Sequence, residues 1–115
     1  MKEYYITANS FASPFFSDQL DDFVKANSPE KALEKFAKNY KHPAGLYAAA
    51  CYSSADAERK GQKPLARWMC NHELEKQRLT ATKESYSYLG NAPGDFELDG
   101  KRVVIADPKG GRVVP

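Results

Sequence analysis

The chain has 115 residues, of which 42% are apolar and 12% aromatic, and its 17 Lys and Arg against 15 Asp and Glu give a net charge of +2. This length and composition indicate one globular domain, and the charge is too small for a disordered chain or for a protein that grips duplex nucleic acid. The N-terminus lacks a signal-peptide pattern and no window reaches the roughly eighteen apolar residues of a membrane helix, so we expect a cytoplasmic protein without membrane association.

The N-terminal segment predicts a strand, a connection and a second strand. Tyr4, Ile6 and Ala8 alternate with their neighbours at the period of a half-buried strand over residues 3–9. Residues 11–22, which contain Pro14 and three carboxylates, are expected to form an exposed connection. A short strand follows at residues 23–26.

A helix is predicted over residues 28–40. Ser28 can cap its first turn, and Pro29 suits the first helical position. Its apolar residues recur at three-and-four spacing and should be buried: Ala32, Leu33, Phe36, Ala37 and Tyr40. Glu34 and Lys38 should form an ion pair on the wet side.

The middle of the chain predicts two more strands and a second helix. Residues 46–53 are apolar on both alternations, which indicates a central strand covered on both faces or a packed interface. Residues 55–63 are expected to be a loop or one helical turn. Residues 65–70 favour a strand over the opening of a helix, and a weakly amphipathic helix is predicted at 71–83.

The C-terminal third is predicted to return to strands. The Asp99-Gly100 pair between alternating segments is typical of a hairpin turn, because both central residues of a type I′ turn need positive φ. The order ββα-ββα-ββ predicts an α+β fold, a mostly antiparallel sheet with two helices on one face. We expect one domain over residues 1–115, with 107–115 as a possible flexible basic tail.

No motif of catalysis, metal binding or cofactor binding is present. His42 and His72 lack the partners of a nucleophilic triad, and Cys51 and Cys70 lack zinc-site spacing and read as core residues, or as a cross-link if strands place them side by side. Asp18, Asp21 and Asp22 do not follow the ligand order of a calcium loop. We therefore expect no enzyme, no metal and no cofactor.

The basic charge is concentrated in the second half. Residues 1–58 carry 6 Lys and Arg against 8 Asp and Glu, a net of −2, and residues 59–115 carry 11 against 7, a net of +4. The run Lys109-Gly110-Gly111-Arg112 is either a flexible turn or a nest of backbone N–H groups for an anion.

Aromatic and polar residues of this half could hold a base. Trp68, beside Arg67, is either a core residue or a stacking platform, and Tyr86 and Tyr88 on one strand face fit core packing or ligand stacking equally. Asn91 lies in a glycine-containing turn and could read a base edge.

Three phrases of the chain resemble small single-domain proteins encoded by bacteriophages: ITANSF (6–11), SPEKALEKF (28–36) and KPLARW (63–68). The layout of two helices, an antiparallel sheet and a basic C-terminal hairpin is similar to the Thoeris anti-defence sponge proteins. That resemblance implies a homo-oligomer that sequesters cyclic nucleotide immune signals without cleaving them. A phage and a bacterial origin both remain open.

The leading hypothesis is a non-enzymatic binder of a small anionic, nucleotide-derived ligand at a homo-oligomer interface, for which the alanine-rich strand at 47–50 is a candidate. Arg102, Lys109 and Arg112 would contact phosphate with help from Arg67, while Tyr86, Tyr88 or Trp68 stacks the base and Asn91 reads its edge. The rival hypothesis is an inhibitor or adaptor that binds a host protein through the acidic residues 18–22 or the aromatic residues Phe11, Phe15 and Phe16.

Overall fold

A computed structural model describes residues 1–12, 20–70, 82–90, 94–105 and 110–114. These residues form a five-stranded antiparallel sheet and a separate three-stranded antiparallel sheet. The predicted α+β class is confirmed, although the strands divide between two sheets and not one.

The N-terminal strands form one side of the larger sheet. β1 (Lys2–Ser10) pairs with β2 (Leu20–Ala26), with Tyr4 opposite Val24 and Thr7 opposite Asp21. The first predicted strand is therefore confirmed. β2 begins earlier than the sequence indicated, because Asp21 and Asp22 sit in register with β1 and are strand residues of a sheet edge.

Helix α1 (Pro29–Asn39) matches its prediction closely. The Ser28 hydroxyl accepts a hydrogen bond from the Lys31 backbone N–H, which caps the first turn. Ala32, Leu33 and Phe36 are buried against the sheet. On the exposed side, Glu34 lies 3.7 Å from Lys31, and the predicted ion pair of Glu34 with Lys38 is not formed.

The centre of the larger sheet is β3 (Leu46–Tyr52), between β1 and β4 (Ala66–Met69), and β8 (Arg112–Val114) completes the edge. The prediction of a central strand is confirmed. A short helix, α2 (Ala55–Arg59), follows β3 where the sequence allowed one helical turn.

Register divides the side chains of this sheet between two faces. The face under α1 carries Ile6, Cys51 and Trp68, all of them buried. The opposite face, which α1 does not cover and which we call the open face, carries Thr7, Asn9, Ala48, Ala50, Tyr52, Arg67, Met69, Arg112 and Val114. Ala48, Met69 and Val114 are nevertheless buried.

The smaller sheet consists of β5 (Tyr86–Tyr88), β6 (Asp95–Leu98) and β7 (Lys101–Val104). The turn between β6 and β7 has φ of 54° at Asp99 and 79° at Gly100, so the predicted hairpin is confirmed. An aromatic cluster joins the two sheets: Phe11 contacts Phe96 at 5.7 Å and Tyr47 at 5.2 Å between ring centroids.

Two predictions about connecting segments have different outcomes. Phe11, predicted to lie in an exposed connection, is 0% exposed, because its ring fills the junction between the sheets. The helix predicted at 71–83 lies mostly outside the described residues, and the segment Lys83–Ser85 at its end is a 3₁₀ turn.

Candidate functional site

A cleft of about 500 Å³ lies between the edge strand β2 and the C-terminal half of α1. We call it the lysine cleft. Helix α1 contributes one side and strands β1 and β2 the other, with these lining residues: Glu3, Asp22, Phe23, Val24, Lys25, Lys35, Phe36, Asn39, Tyr40 and Lys41. Its volume lies within the range of small-molecule sites.

The floor of the lysine cleft is apolar and its rim is charged. Val24 and Phe36 are buried at 8% and 6% exposure, whereas Lys35 and Lys41 are exposed. The Tyr40 ring lies 5.8 Å from Phe36 and stacks on His42 at 6.2 Å. Partial burial raises the pKa of Tyr40, so its hydroxyl stays protonated and can donate a hydrogen bond.

The charge of this cleft favours an anion. Lys35 and Lys41 line the cleft, and Asp22 is the carboxylate that β2 places on the α1 side of the sheet. In the described part of the chain neither Lys35 nor Lys41 is engaged in an ion pair. Lysine ammonium groups beside an aromatic ring are a common setting for phosphate and base together.

A second cavity is a groove of about 300 Å³ on the open face, floored by alanines of β3. We call it the alanine groove. Arg67 and Glu58 supply one charge of each sign, and Thr7, Asn9 and Tyr52 add polar groups. Its charges balance, so its preference for an anion is weaker than that of the lysine cleft.

Two of the predicted phosphate contacts share the open face. Arg67 is opposite Val114 and Met69 is opposite Arg112, so Arg67 and Arg112 are diagonal neighbours on adjacent strands. Only Arg67 lines the alanine groove. The alanine-rich segment 47–50 belongs to a strand that is paired on both edges, which leaves the open face as the surface it could offer to a second copy.

Trp68 is a core residue, which corrects its assignment as a stacking platform. Its side chain is 3% exposed. Gly111 lies against the indole so closely that a Cβ at that position would overlap the ring. A base cannot stack on an indole that is buried to this extent without a rearrangement of the core.

Both members of the predicted tyrosine pair are partly buried against the core. Tyr86 stacks on Phe96 at 5.2 Å, and its hydroxyl donates to the Phe11 carbonyl oxygen. Burial raises the pKa of Tyr86, as expected for a phenol inside the aromatic cluster. Tyr88 is half-buried, and burial and then Asp95 raise its pKa.

The remaining predicted contacts lie apart from both cavities or outside the described residues. Arg102 forms a two-point interaction with Asp95, with nitrogen to oxygen distances of 3.0 and 3.1 Å. This hydrogen bond lowers the pKa of Asp95, and a phosphate would have to displace that carboxylate. Asn91 and Lys109 lie outside the described residues.

The structure changes which aromatic side chains could form the contact surface of the rival hypothesis. Phe11 is buried, and Phe15, Phe16 and Asp18 lie outside the described residues. The exposed ring in this region is Phe23, with 55% exposure, packed 5.2 Å from Tyr5 beside the carboxylate of Asp21. The Tyr5 hydroxyl donates to that carboxylate at 2.7 Å.

Known proteins give this chain no assignment. No protein-family model, curated protein or solved structure matches it. Among the described residues no three His, Cys, Asp or Glu side chains are grouped to hold a metal ion. No helix in that part of the chain is both long and apolar enough to cross a membrane.

The residues of the lysine cleft were not among the predicted site residues. No known binding motif contains Lys35 or Lys41, so these residues were not selected from the sequence. A usable signal exists in the chain: Lys35 and Asn39, like Phe36 and Tyr40, are spaced four residues apart, so a polar and an aromatic stripe run side by side.

Proposed function

We propose that this protein is a non-enzymatic binding protein that sequesters a small anionic, nucleotide-derived ligand, and that it acts as a homo-oligomer. The observation that carries the proposal is the lysine cleft, where Lys35 and Lys41 border an apolar floor beside Tyr40. The proposed ligand site therefore lies between β2 and α1, and not at the C-terminal residues that the sequence suggested.

Each part of a nucleotide has a suitable counterpart in the cleft. Lys35 and Lys41 can bind phosphate oxygens, since ammonium groups form charge-assisted hydrogen bonds with them. The ring of Tyr40 offers a stacking surface, and the amide of Asn39 offers both a donor and an acceptor for a base edge. Nothing in this set is a nucleophile paired with a base, so binding without turnover is the matching activity.

The test is a thermal-shift screen against mono-, di- and cyclic nucleotides, including cyclic ADP-ribose isomers, followed by calorimetry on any hit. A ligand at a hundred times its Kd adds about 2.7 kcal/mol, which raises the midpoint by roughly 10 °C in a domain of this size. Chromatography of the recovered ligand should show it intact. The proposal is refuted if none of the nucleotides raises the melting midpoint.

Variants locate the site. Lys35→Ala and Lys41→Ala should each weaken binding about tenfold or more, because each removes a charged hydrogen bond. Lys38→Ala is the matched control, since Lys38 is an exposed lysine of the same helix that does not line the cleft. A ligand lost in Arg67→Ala but retained in both lysine variants would instead place the site in the alanine groove.

A further inference from the structure

In the part of the chain that the structure describes, strand β2 is an edge of the larger sheet, and it is the longer of the sheet's two edges. It has seven residues, whereas β8 at the other edge has three. A long edge strand presents unpaired backbone N–H and C=O groups and is a template for another strand. Phe23, at its centre, is 55% exposed.

The charges along β2 are self-complementary when two copies of the strand are paired antiparallel. Asp21, Phe23 and Lys25 all lie on the open-face side, since they are in register with Thr7, Tyr5 and Glu3 of β1. When two such strands pair about Phe23, Asp21 of each copy is opposite Lys25 of the other. The two Phe23 rings then become direct neighbours.

Neighbouring registers lack this match. Centring the pair on Asp22 brings two carboxylates opposite each other, and centring it on Val24 places Lys25 opposite Phe23. Opposite charges directly across a strand pair stabilise it and like charges destabilise it. The register about Phe23 is therefore favoured by two ion pairs and one aromatic contact.

We propose that β2 pairs with β2 of a second copy of this chain, antiparallel and centred on Phe23, to form a continuous ten-stranded sheet with two-fold symmetry. Such an interface is isologous, which is the commonest arrangement in homodimers. The pairing also covers the exposed Phe23 ring, with Tyr5 of each copy packed behind it at 5.2 Å.

The dimer has a consequence for the lysine cleft, and this part rests on the proposed function. A two-fold axis perpendicular to the sheet places both α1 helices on the same face. Asp22 and Val24, which line the cleft, would then be opposite Val24 and Asp22 of the second copy. The two clefts meet across the axis, so the second copy would add a further wall to each ligand site.

The test uses sedimentation equilibrium of the full chain without ligand. The wild type should be a dimer. Asp21→Lys and Lys25→Asp should each raise the dimer Kd by about tenfold or more, because each converts both ion pairs to repulsions. A 1:1 mixture of the two variants should form a heterodimer, since every pair in it is again attractive.

Two controls separate the interface from the fold. Lys101→Asp reverses an exposed charge at the edge of the smaller sheet and should leave the dimer intact. The double variant D21K/K25D should dimerise like the wild type. Hydrogen exchange of wild-type amides at residues 21–25 should slow as the protein concentration rises, and this measurement needs no variant.

The interface is refuted if the wild type is monomeric at high concentration, or if exchange in β2 is independent of concentration. It is also refuted if the mixture of variants fails to associate while both melt as folded proteins. The dimer is measured without nucleotide. A dimer that binds no nucleotide would therefore contradict the nucleotide-binding function alone, and a monomer that binds one would contradict the interface and the homo-oligomeric state but not nucleotide binding.

Discussion

Gly111 lies against the indole of Trp68, with the Cα of Cys70 only 2.7 Å from where a Cβ at position 111 would be. This contact holds the C-terminal strand β8 over the edge of β4, where Trp68 is opposite Val113. The basic C-terminal segment is thus partly a packed element of the larger sheet, and Val114 is 3% exposed.

Gly111→Ala should destabilise the fold by about 2–3 kcal/mol, because the added methyl must displace a rigid indole or the backbone of Cys70. Chemical denaturation followed by Trp68 fluorescence measures the change. Gly61→Ala is the control: nothing lies within 4 Å of its Cβ, and φ of 74° costs only about 1 kcal/mol. Equal losses in the two variants would contradict the close packing of Gly111.

Truncation after Asp107 should also destabilise the protein, by about 3 kcal/mol or more, although the sequence suggested that this tail adds little to the core. The deletion removes buried Val114 and uncovers Trp68. Arg112→Ala, which changes an exposed residue of the same strand, should stay within about 0.5 kcal/mol of the wild type. A truncated chain that unfolds at the wild-type midpoint would show that β8 does not support the fold.

The Tyr5 hydroxyl should lose its proton at a higher pH than an ordinary tyrosine. Its hydrogen bond to Asp21, then burial, raises the pKa of Tyr5 from 10.0 to about 12. The folded pKa is above the unfolded one, so this stabilisation is complete below pH 10 and is lost as the pH rises toward 12.

Absorbance of the phenolate, taken as the difference between the wild type and Tyr5→Phe, follows this titration. In Asp21→Ala the pKa of Tyr5 should move back toward 10, since the leading cause of the shift is gone. The same pKa in both backgrounds would mean that the hydrogen bond is absent in solution.

Cys51 should be unreactive in the native protein. Burial, then the nearby Glu30, raises the pKa of its thiol to about 11, and the side chain is 0% exposed. Thiolate is the reactive form, so labelling by a disulfide reagent in a Cys70→Ala background should follow unfolding and speed up with urea. Labelling in native buffer at a rate near that of a model thiol would contradict this burial.

The register also explains why no disulfide joins Cys51 and Cys70. Cys51 is opposite Ala66, whereas the Cys70 backbone N–H donates to the carbonyl oxygen of Tyr47. Tyr47 lies four residues before Cys51 in β3. At roughly 3.3 Å per residue this separation exceeds the reach of a disulfide. Of the two sequence interpretations, that of two small core residues agrees with their burial.

The sequence by itself determined the local features. Ser28 and Pro29 begin α1, the Asp99-Gly100 pair closes a hairpin, and the apolar alternations of 46–52 make β3 a buried central strand. Each follows from backbone geometry or hydrophobic periodicity within a few residues.

Only the tertiary structure decided which side chains meet. It buried Trp68 and Phe11, paired Arg102 with Asp95, and brought Lys35 and Lys41 to the β2 edge. These relationships depend on the register of strands and on the crossing of α1 over the sheet. Both arise from contacts between residues far apart in the chain, which no local pattern specifies.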